Sequence, residues 1–179
     1  MMILPKYTKD EVEKVYHSYR GKLVQRFKYR KTLISHMELV YIPYHIFEMD
    51  TEKSKAALQF CVDAIIGSVS VFDPGEAEYS EEINQPVGDV IINRSDAEEA
   101  AIQFARDFIL QKGMKHKISI TMRDIRYQRM IYYPFWIIYL KRSGKLDFLA
   151  IDALAGDVQG IQMRRMFLKM FRQTDEDLA

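Results

Sequence analysis

Glu38-Leu-Val-Tyr-Ile-Pro-Tyr-His-Ile-Phe-Glu-Met49 lies over Arg129-Met-Ile-Tyr-Tyr-Pro-Phe-Trp-Ile-Ile-Tyr-Leu140 at an offset of 91, matching Tyr41, Pro43 and Ile46 with Tyr132, Pro134 and Ile137. Downstream, Val62-Asp-Ala-Ile-Ile-Gly-Ser-Val69 lies over Ile151-Asp-Ala-Leu-Ala-Gly-Asp-Val158 at an offset of 89, with Asp, Ala, Gly and Val in common. Two motifs in the same order at nearly the same spacing indicate an internal duplication. The expected fold class is α+β: two tandem pseudo-repeats, each a helix packed on a small antiparallel sheet, followed by a C-terminal amphipathic helix.

Working outward from these strands, each copy opens with a helix start. Thr8-x-x-Glu11 and Ser95-x-x-Glu98 both fit a capping box, in which hydroxyl and carboxylate satisfy exposed backbone amides reciprocally. In the second copy Ala97, Ala100, Ala101, Phe104, Ala105, Phe108 and Ile109 form a stripe at helical spacing, and Gly113 suits a left-handed cap. In the first, Val12, Val15, Tyr16 and Tyr19 precede a stop at Gly21. Phe27 and Tyr29 then alternate with Arg26, Lys28 and Arg30 as in a half-buried strand, and Ile118, Ile120 and Met122 alternate likewise in the second copy.

The Tyr-x-Pro strands follow. Proline removes a ladder donor, which predicts edge strands, or bulges at Pro43 and Pro134. Ser143-Gly144 predicts a turn between strands at 137–141 and 146–151, and Asp50 to Ser54 is the polar equivalent in the first copy. Asp63 and Asp152 each stand four residues before a glycine, Gly67 and Gly156. Each carboxylate is expected to accept backbone amides while its glycine takes positive φ. Asp73 to Asp89 holds six acidic residues and no basic one, with two prolines and two glycines, and reads as a linker. The expected domains are a first repeat at 1–73, a linker at 74–94, a second repeat at 95–160, and a helix with a fraying tail at 161–179.

A chain of 179 residues, 48% hydrophobic, can bury a genuine core. Lys and Arg number 26 against 25 Asp and Glu, so no global field steers the protein towards nucleic acid or an anionic membrane. The single Cys61 excludes an internal disulfide and fits a reducing compartment. The charged start lacks a secretory apolar stretch, and the longest apolar run, Met130 to Leu140, is 11 residues. A cytoplasmic protein without a transmembrane segment is expected.

At Asp63-Ala-Ile-Ile-Gly-Ser-Val69 and Asp152-Ala-Leu-Ala-Gly-Asp-Val158, each preceded by an apolar strand and a helix, the unit resembles the PepSY type of domain. The resemblance implies a helix on a small antiparallel sheet, often in tandem, and a role in binding or restraining other proteins, notably peptidases. PepSY domains usually sit outside the cytoplasm or on membrane proteins, whereas no export signal is read here. The Tyr-x-Pro strand has no clear place in that pattern.

No catalytic constellation is read, and no cofactor or metal is expected. His17, His36, His45 and His116 lack metal-ligand spacing and read as surface or edge residues. Cys61 reads as a small core residue. The pair Asp63 and Asp152 could serve acid–base chemistry, but the turn role accounts for both the Asp and the Gly. Six basic residues between Tyr19 and Lys31, and Arg123, Arg126, Tyr127, Arg129, Tyr132 and Tyr133 in the second copy, could hold single-stranded nucleic acid. The near-neutral chain argues against that.

The function expected is a non-enzymatic interaction or regulatory module that binds a protein partner or itself as a homodimer. Two surfaces are candidates: exposed aromatic strand edges carrying Tyr41, Tyr44, Tyr132, Tyr133, Phe135 and Trp136, or the helix from Ile161 to Arg172 with Met163, Met166, Phe167 and Met170 on one face. A small-ligand binder with a pocket between sheet and helices is the alternative, and nucleic-acid binding a second.

Overall fold

A computed structural model describes residues 1–21, 32–51, 57–73, 75–82, 87–116, 122–142 and 145–176. The elements are β1 (Met2–Ile3), α1 (Lys9–Gly21), β2 (Leu33–Thr51), β3 (Leu58–Asp63), β4 (Val69–Val71), β5 (Tyr79–Ser80), α2 (Arg94–His116), β6 (Met122–Arg142), β7 (Lys145–Asp152) and α3 (Ile161–Glu176). The seven strands form one sheet in the order β4-β3-β2-β6-β1-β5, with β7 also on β6. The α+β class and the C-terminal helix are as the sequence predicts.

The chain makes two compact units that interleave along the sequence. Unit 1 comprises Met1–Tyr41, Glu76–Gly88 and Tyr133–Ala179, and unit 2 comprises Ile42–Gly75 and Asp89–Tyr132. This differs from the sequential division at 1–73 and 95–160. In unit 1, β6 and β7 form an antiparallel hairpin in register from Phe135↔Asp152 to Arg142↔Lys145. Val12 and Tyr16 of α1 pack on Ile138, Leu140, Leu149 and Ile151 of that hairpin and on Met37 of β2. Tyr16 Oη shares a buried hydrogen bond with Thr32 Oγ1 at 3.1 Å. Side chains alternate across a strand, so Phe135 points to the face opposite Ile138, where Phe167 of α3 meets it edge-on at 5.6 Å.

Unit 2 is built on the second part of β2, paired with β3 from Tyr44↔Asp63 to Met49↔Leu58, while β3 also pairs with β4. Ala97, Ala101 and Ala105 recur every fourth residue and let α2 approach Phe47, Val62, Met49 and Phe60 closely. Phe104 and Phe108 flank the line, both edge-on to Phe60. The stripe read from the sequence is therefore the buried face of α2. The helix α2 packs on β2 and β3 and α1 packs on β6 and β7, so each helix covers the hairpin that the sequence reading assigns to the other repeat.

Several local expectations need correction. The Tyr-x-Pro strands are interior, since β2 lies between β3 and β6. Proline is accommodated because it falls one position beyond a ladder. The β2–β3 pairing ends at Tyr44↔Asp63 and the β6–β7 pairing at Phe135↔Asp152, so neither of these ladders requires the missing N–H. Pro43 and Pro134 still accept through their carbonyls, from Ala64 N–H at 2.9 Å and Ala153 N–H at 3.2 Å. Gly113 does not end α2, which continues to His116 at a cost of about 1 kcal/mol relative to alanine.

The second capping box sits two residues earlier than read. Asn93 Oδ1 accepts Asp96 N–H at 3.0 Å and Asn93 Nδ2 donates to Asp96 Oδ2 at 3.0 Å. The first box is at Thr8, whose N–H and hydroxyl both donate to Glu11 Oε2. The acidic linker contributes β5, paired with β1, and Val87 forms a parallel bridge to Tyr41. Beyond Gln173, where fraying was expected, α3 runs on to Glu176. The expected strand at 26–30, Ile118, Ile120, the turn at Ser143-Gly144 and most of the turn at 50–54 lie outside the described residues.

Candidate functional site

Two tight turns and one helix surface carry the groups most able to act. In the turn after β3, Asp63 Oδ1 accepts the amides of Ile65 (3.2 Å) and Ile66 (2.7 Å), and Oδ2 accepts that of Ser68 (2.8 Å). In the turn after β7, Asp152 Oδ1 accepts the amides of Leu154 (2.8 Å) and Ala155 (2.9 Å). Gly67 and Gly156 sit at φ 75 and 73, each donating its N–H to the aspartate carbonyl. The carboxylates are thus engaged by their own turns, as the sequence predicts. Burial pushes the Asp63 carboxyl above its ordinary value, and the amide bonds that favour the ionised form do not outweigh it. Asp152 additionally accepts the Tyr133 hydroxyl at 3.1 and 3.0 Å.

The third place is on α3 of unit 1. Met166 and Phe167 are fully buried, with Phe167 edge-on to Phe135 and Phe148. Ile161, Arg165 and Leu168, spaced i, i+4 and i+7, form an outward stripe in which Ile161 is 69% and Leu168 40% exposed. Between the two faces Arg164 lies over the Phe148 ring at 4.5 Å. It donates to Phe148 O at 2.7 Å and to Asp147 Oδ1 at 2.6 Å.

The aromatic residues read as exposed edges do not form one surface. Tyr41, Tyr44 and Phe135 are buried, because β2 and β6 are interior strands. Tyr132 and Tyr133 are half-buried. Trp136 donates Nε1–H to Tyr7 O at 2.8 Å, anchoring the segment before α1. Within the helix set Met166 and Phe167 are core, and Met163 and Met170 are partly buried.

Among the histidines, His17 and Glu13 are 3.6 Å apart on α1, and the exposed His36 stacks on Tyr139 at 4.1 Å. His45 is buried, contrary to the surface reading, with Nε2 2.9 Å from Ile92 O. Cys61 is a buried core residue as expected, its Sγ 3.1 Å from Ser70 Oγ, and burial raises its thiol. No cluster of three or more His, Cys, Asp or Glu that could hold a metal is present among the described residues. Arg126, a candidate phosphate contact, lies within 4.0 Å of Glu48, Asp50 and Asp124, which offset its charge.

Sequence reasoning missed the Tyr139–Glu38 hydrogen bond, made by residues 101 apart. Burial, with Glu38 adding to it, raises the Tyr139 hydroxyl well above its ordinary value. It also missed the Arg164–Asp147 contact, because neither residue departs from an ordinary amphipathic or strand pattern. A cleft of about 320 Å³ opens between α1 and the Gly156 turn, lined by Val15, Ser18, Tyr19, Asp157 and Val158. No family model, curated protein or solved structure matches the chain. No helix among the described residues is long and apolar enough to cross a membrane.

Proposed function

We propose that the protein is a non-enzymatic interaction module that binds a protein partner through the outward stripe of α3. The observation that carries this reading is the exposure of Ile161 and Leu168 on either side of Arg165, on a helix whose opposite face is already committed to the core. Apolar side chains held in water on a rigid element are the usual form of a docking surface, and a neighbouring arginine suits a partner that pairs apolar with acidic groups. This replaces the aromatic strand edges as the binding surface.

The same reading treats the two helix–hairpin sets as halves of a duplicated scaffold. It is supported by the matching turn hydrogen bonds and by the shared carbonyl contacts of Pro43 and Pro134. Kinship with PepSY domains and a cytoplasmic location belong to this proposal, the first resting on the two Asp-Ala-x-x-Gly-x-Val motifs and the second on the single free cysteine.

Immobilised wild type and the double variant Ile161→Ser, Leu168→Ser provide the test, with source-cell extract passed over each. A partner retained by wild type and lost from a double variant of unchanged melting temperature is the expected result. Equal retention by both rejects the surface. A small-ligand reading draws on the cleft at α1, whose volume lies at the lower end of the range for ligand pockets. A metabolite that raises the melting temperature of wild type but not of a Ser18→Trp variant would establish it.

A further inference from the structure

The turns after β3 and β7 close with the same backbone bond: Asp63 N–H donates to Ser68 O at 3.0 Å, and Asp152 N–H donates to Asp157 O at 2.9 Å. Serine fills that position in one turn and aspartate in the other, so the turn itself has no need of the Asp157 carboxylate. Among the described residues that carboxylate makes no hydrogen bond or ion pair; the Asp157 carbonyl alone is used, by Asp152 N–H and by Gln159 Nε2 at 3.1 Å. Asp157 lines the cleft of about 320 Å³ in unit 1, with Gly156 and Val158 on its own side and Val15, Ser18 and Tyr19 of α1 on the other. Val15, Tyr19 and Val158 are partly buried against the core beneath α1 and give the cleft an apolar wall. Ser18 and Tyr19 belong to the last turn of α1, and a helix carries partial negative charge at that end. The neighbouring cations of α1 turn elsewhere: Arg20 directs Nη1 to Thr32 O at 3.5 Å, and His17 Nε2 lies 3.6 Å from Glu13 Oε1. The acidic wall is held in place, since the Tyr7 ring lies against Gly156 and Trp136 Nε1–H holds the Tyr7 carbonyl.

We infer that this cleft binds the cationic head of a small organic amine, with the ammonium group beside the Asp157 carboxylate and the Tyr19 ring and the apolar body on Val15 and Val158. A carboxylate, the negative end of a helix and an aromatic face all favour a cation and disfavour an anion. The Ser18 hydroxyl adds an acceptor for one ammonium hydrogen. A hard metal ion would demand more oxygen ligands than one carboxylate and one hydroxyl, whereas the apolar wall suits a carbon body. Cation binding here rests on the small-ligand reading of the cleft and takes nothing from the α3 surface.

Titrations followed by amide chemical shifts test it with three probes that share one apolar body: phenethylamine, phenethyl alcohol and phenylacetate. At neutral pH phenethylamine is expected to shift the amides of Ser18, Gly156 and Asp157 saturably and to bind at least about tenfold more tightly than either other probe. Asp157→Asn and Asp157→Ser, the second copying the residue of the first turn, should bring its affinity down to that of phenethyl alcohol at unchanged melting temperature. Ser18→Trp should abolish the binding of both. Equal binding of amine and alcohol keeps the cleft as a ligand site but overturns its preference for a cation. No saturable shift at these residues with any probe overturns the cation site together with the ligand reading beneath it. An amine affinity unchanged in both Asp157 variants assigns the cation to another acidic group, and unfolding of both gives the carboxylate a structural role; either result also overturns the inference.

Discussion

Replacing Asp63 by alanine removes the acceptor of three backbone amides at once, those of Ile65, Ile66 and Ser68. A buried donor left without a partner costs about 1–3 kcal/mol, with the lower figure where water can enter. The Ile65 amide is buried and the other two are partly so, which gives a total of about 3–5 kcal/mol. Asparagine keeps one carbonyl oxygen for Ile65 and Ile66 but turns an NH2 towards Ser68 N–H, and should cost about 1–3 kcal/mol. Urea denaturation monitored by circular dichroism reads both values. An Asp63→Ala protein within about 1 kcal/mol of wild type would refute the claim that the carboxylate organises the turn.

The same residue predicts a pH dependence. Burial raises the folded-state value of Asp63, so between the unfolded and folded values the native protein holds a proton that the unfolded chain has released. The contribution of this group is therefore fully present below the ordinary aspartate value of about 3.9 and is lost as pH rises through the folded value. Asparagine does not titrate. Wild-type stability relative to Asp63→Asn should fall on going from about pH 3 to about pH 6, and a relative stability that rises over that range would show that the amide bonds outweigh burial.

Gly156→Ala and Gly67→Ala both force alanine into positive φ at about 1–2 kcal/mol, but only at Gly156 would the new Cβ meet the Tyr7 ring, 2.6 Å away. The Gly156 variant should therefore be the less stable by a further 1–3 kcal/mol or so in urea titrations, and equal losses would dismiss the Tyr7 contact. Phe167→Ala empties a fully buried ring site and should cost about 3–5 kcal/mol by the same measurement; a loss below about 1 kcal/mol would place α3 outside the core. Thr8 N–H and hydroxyl hold Glu11 below its ordinary value, so its contribution to α1 is present above about pH 4.3 and disappears as pH falls through the folded value. Glu11→Gln should lose that acid dependence in amide exchange of the first turn, and an unchanged acid profile would assign it to another carboxylate.

Patterns local to one element were legible. The alanine line of α2, the Thr8 cap, and the Asp–Gly turns each depend on side chains within about a dozen residues, so spacing alone specifies them. What could not be read was the number of neighbours each strand has. The alternation at Tyr41, Tyr44 and Phe135 is compatible with an edge or an interior position, and proline tilts the choice towards an edge unless the adjoining ladder happens to stop there. It does stop there, at Asp63 and at Asp152, and the turn that ends each ladder is the one that the sequence marks most clearly. Which hairpin each helix covers was equally hidden. Val12 and Tyr16 need an apolar floor, and the β2–β3 and β6–β7 strand pairs each offer one.

The two hairpins also solve one problem differently, and that difference locates what is distinctive in this chain. A hairpin's second strand has an outer edge that must be satisfied. After the Gly67 turn the chain returns as β4 and pairs along β3 through Val69, Ser70 and Val71, so the first edge is closed by another strand. After the Gly156 turn the corresponding return stops at the bridge between Ile151 and Val158, and the chain becomes α3. At Phe148 the β7 edge is closed instead by Arg164 and Asp147, groups joined by charge and about two-fifths exposed. A ladder opens only by unfolding its strands, whereas a partly exposed ion pair yields to a single substitution or to competing charge. The helix that supplies Arg164 to this edge also carries the exposed Ile161 and Leu168 on its outward face.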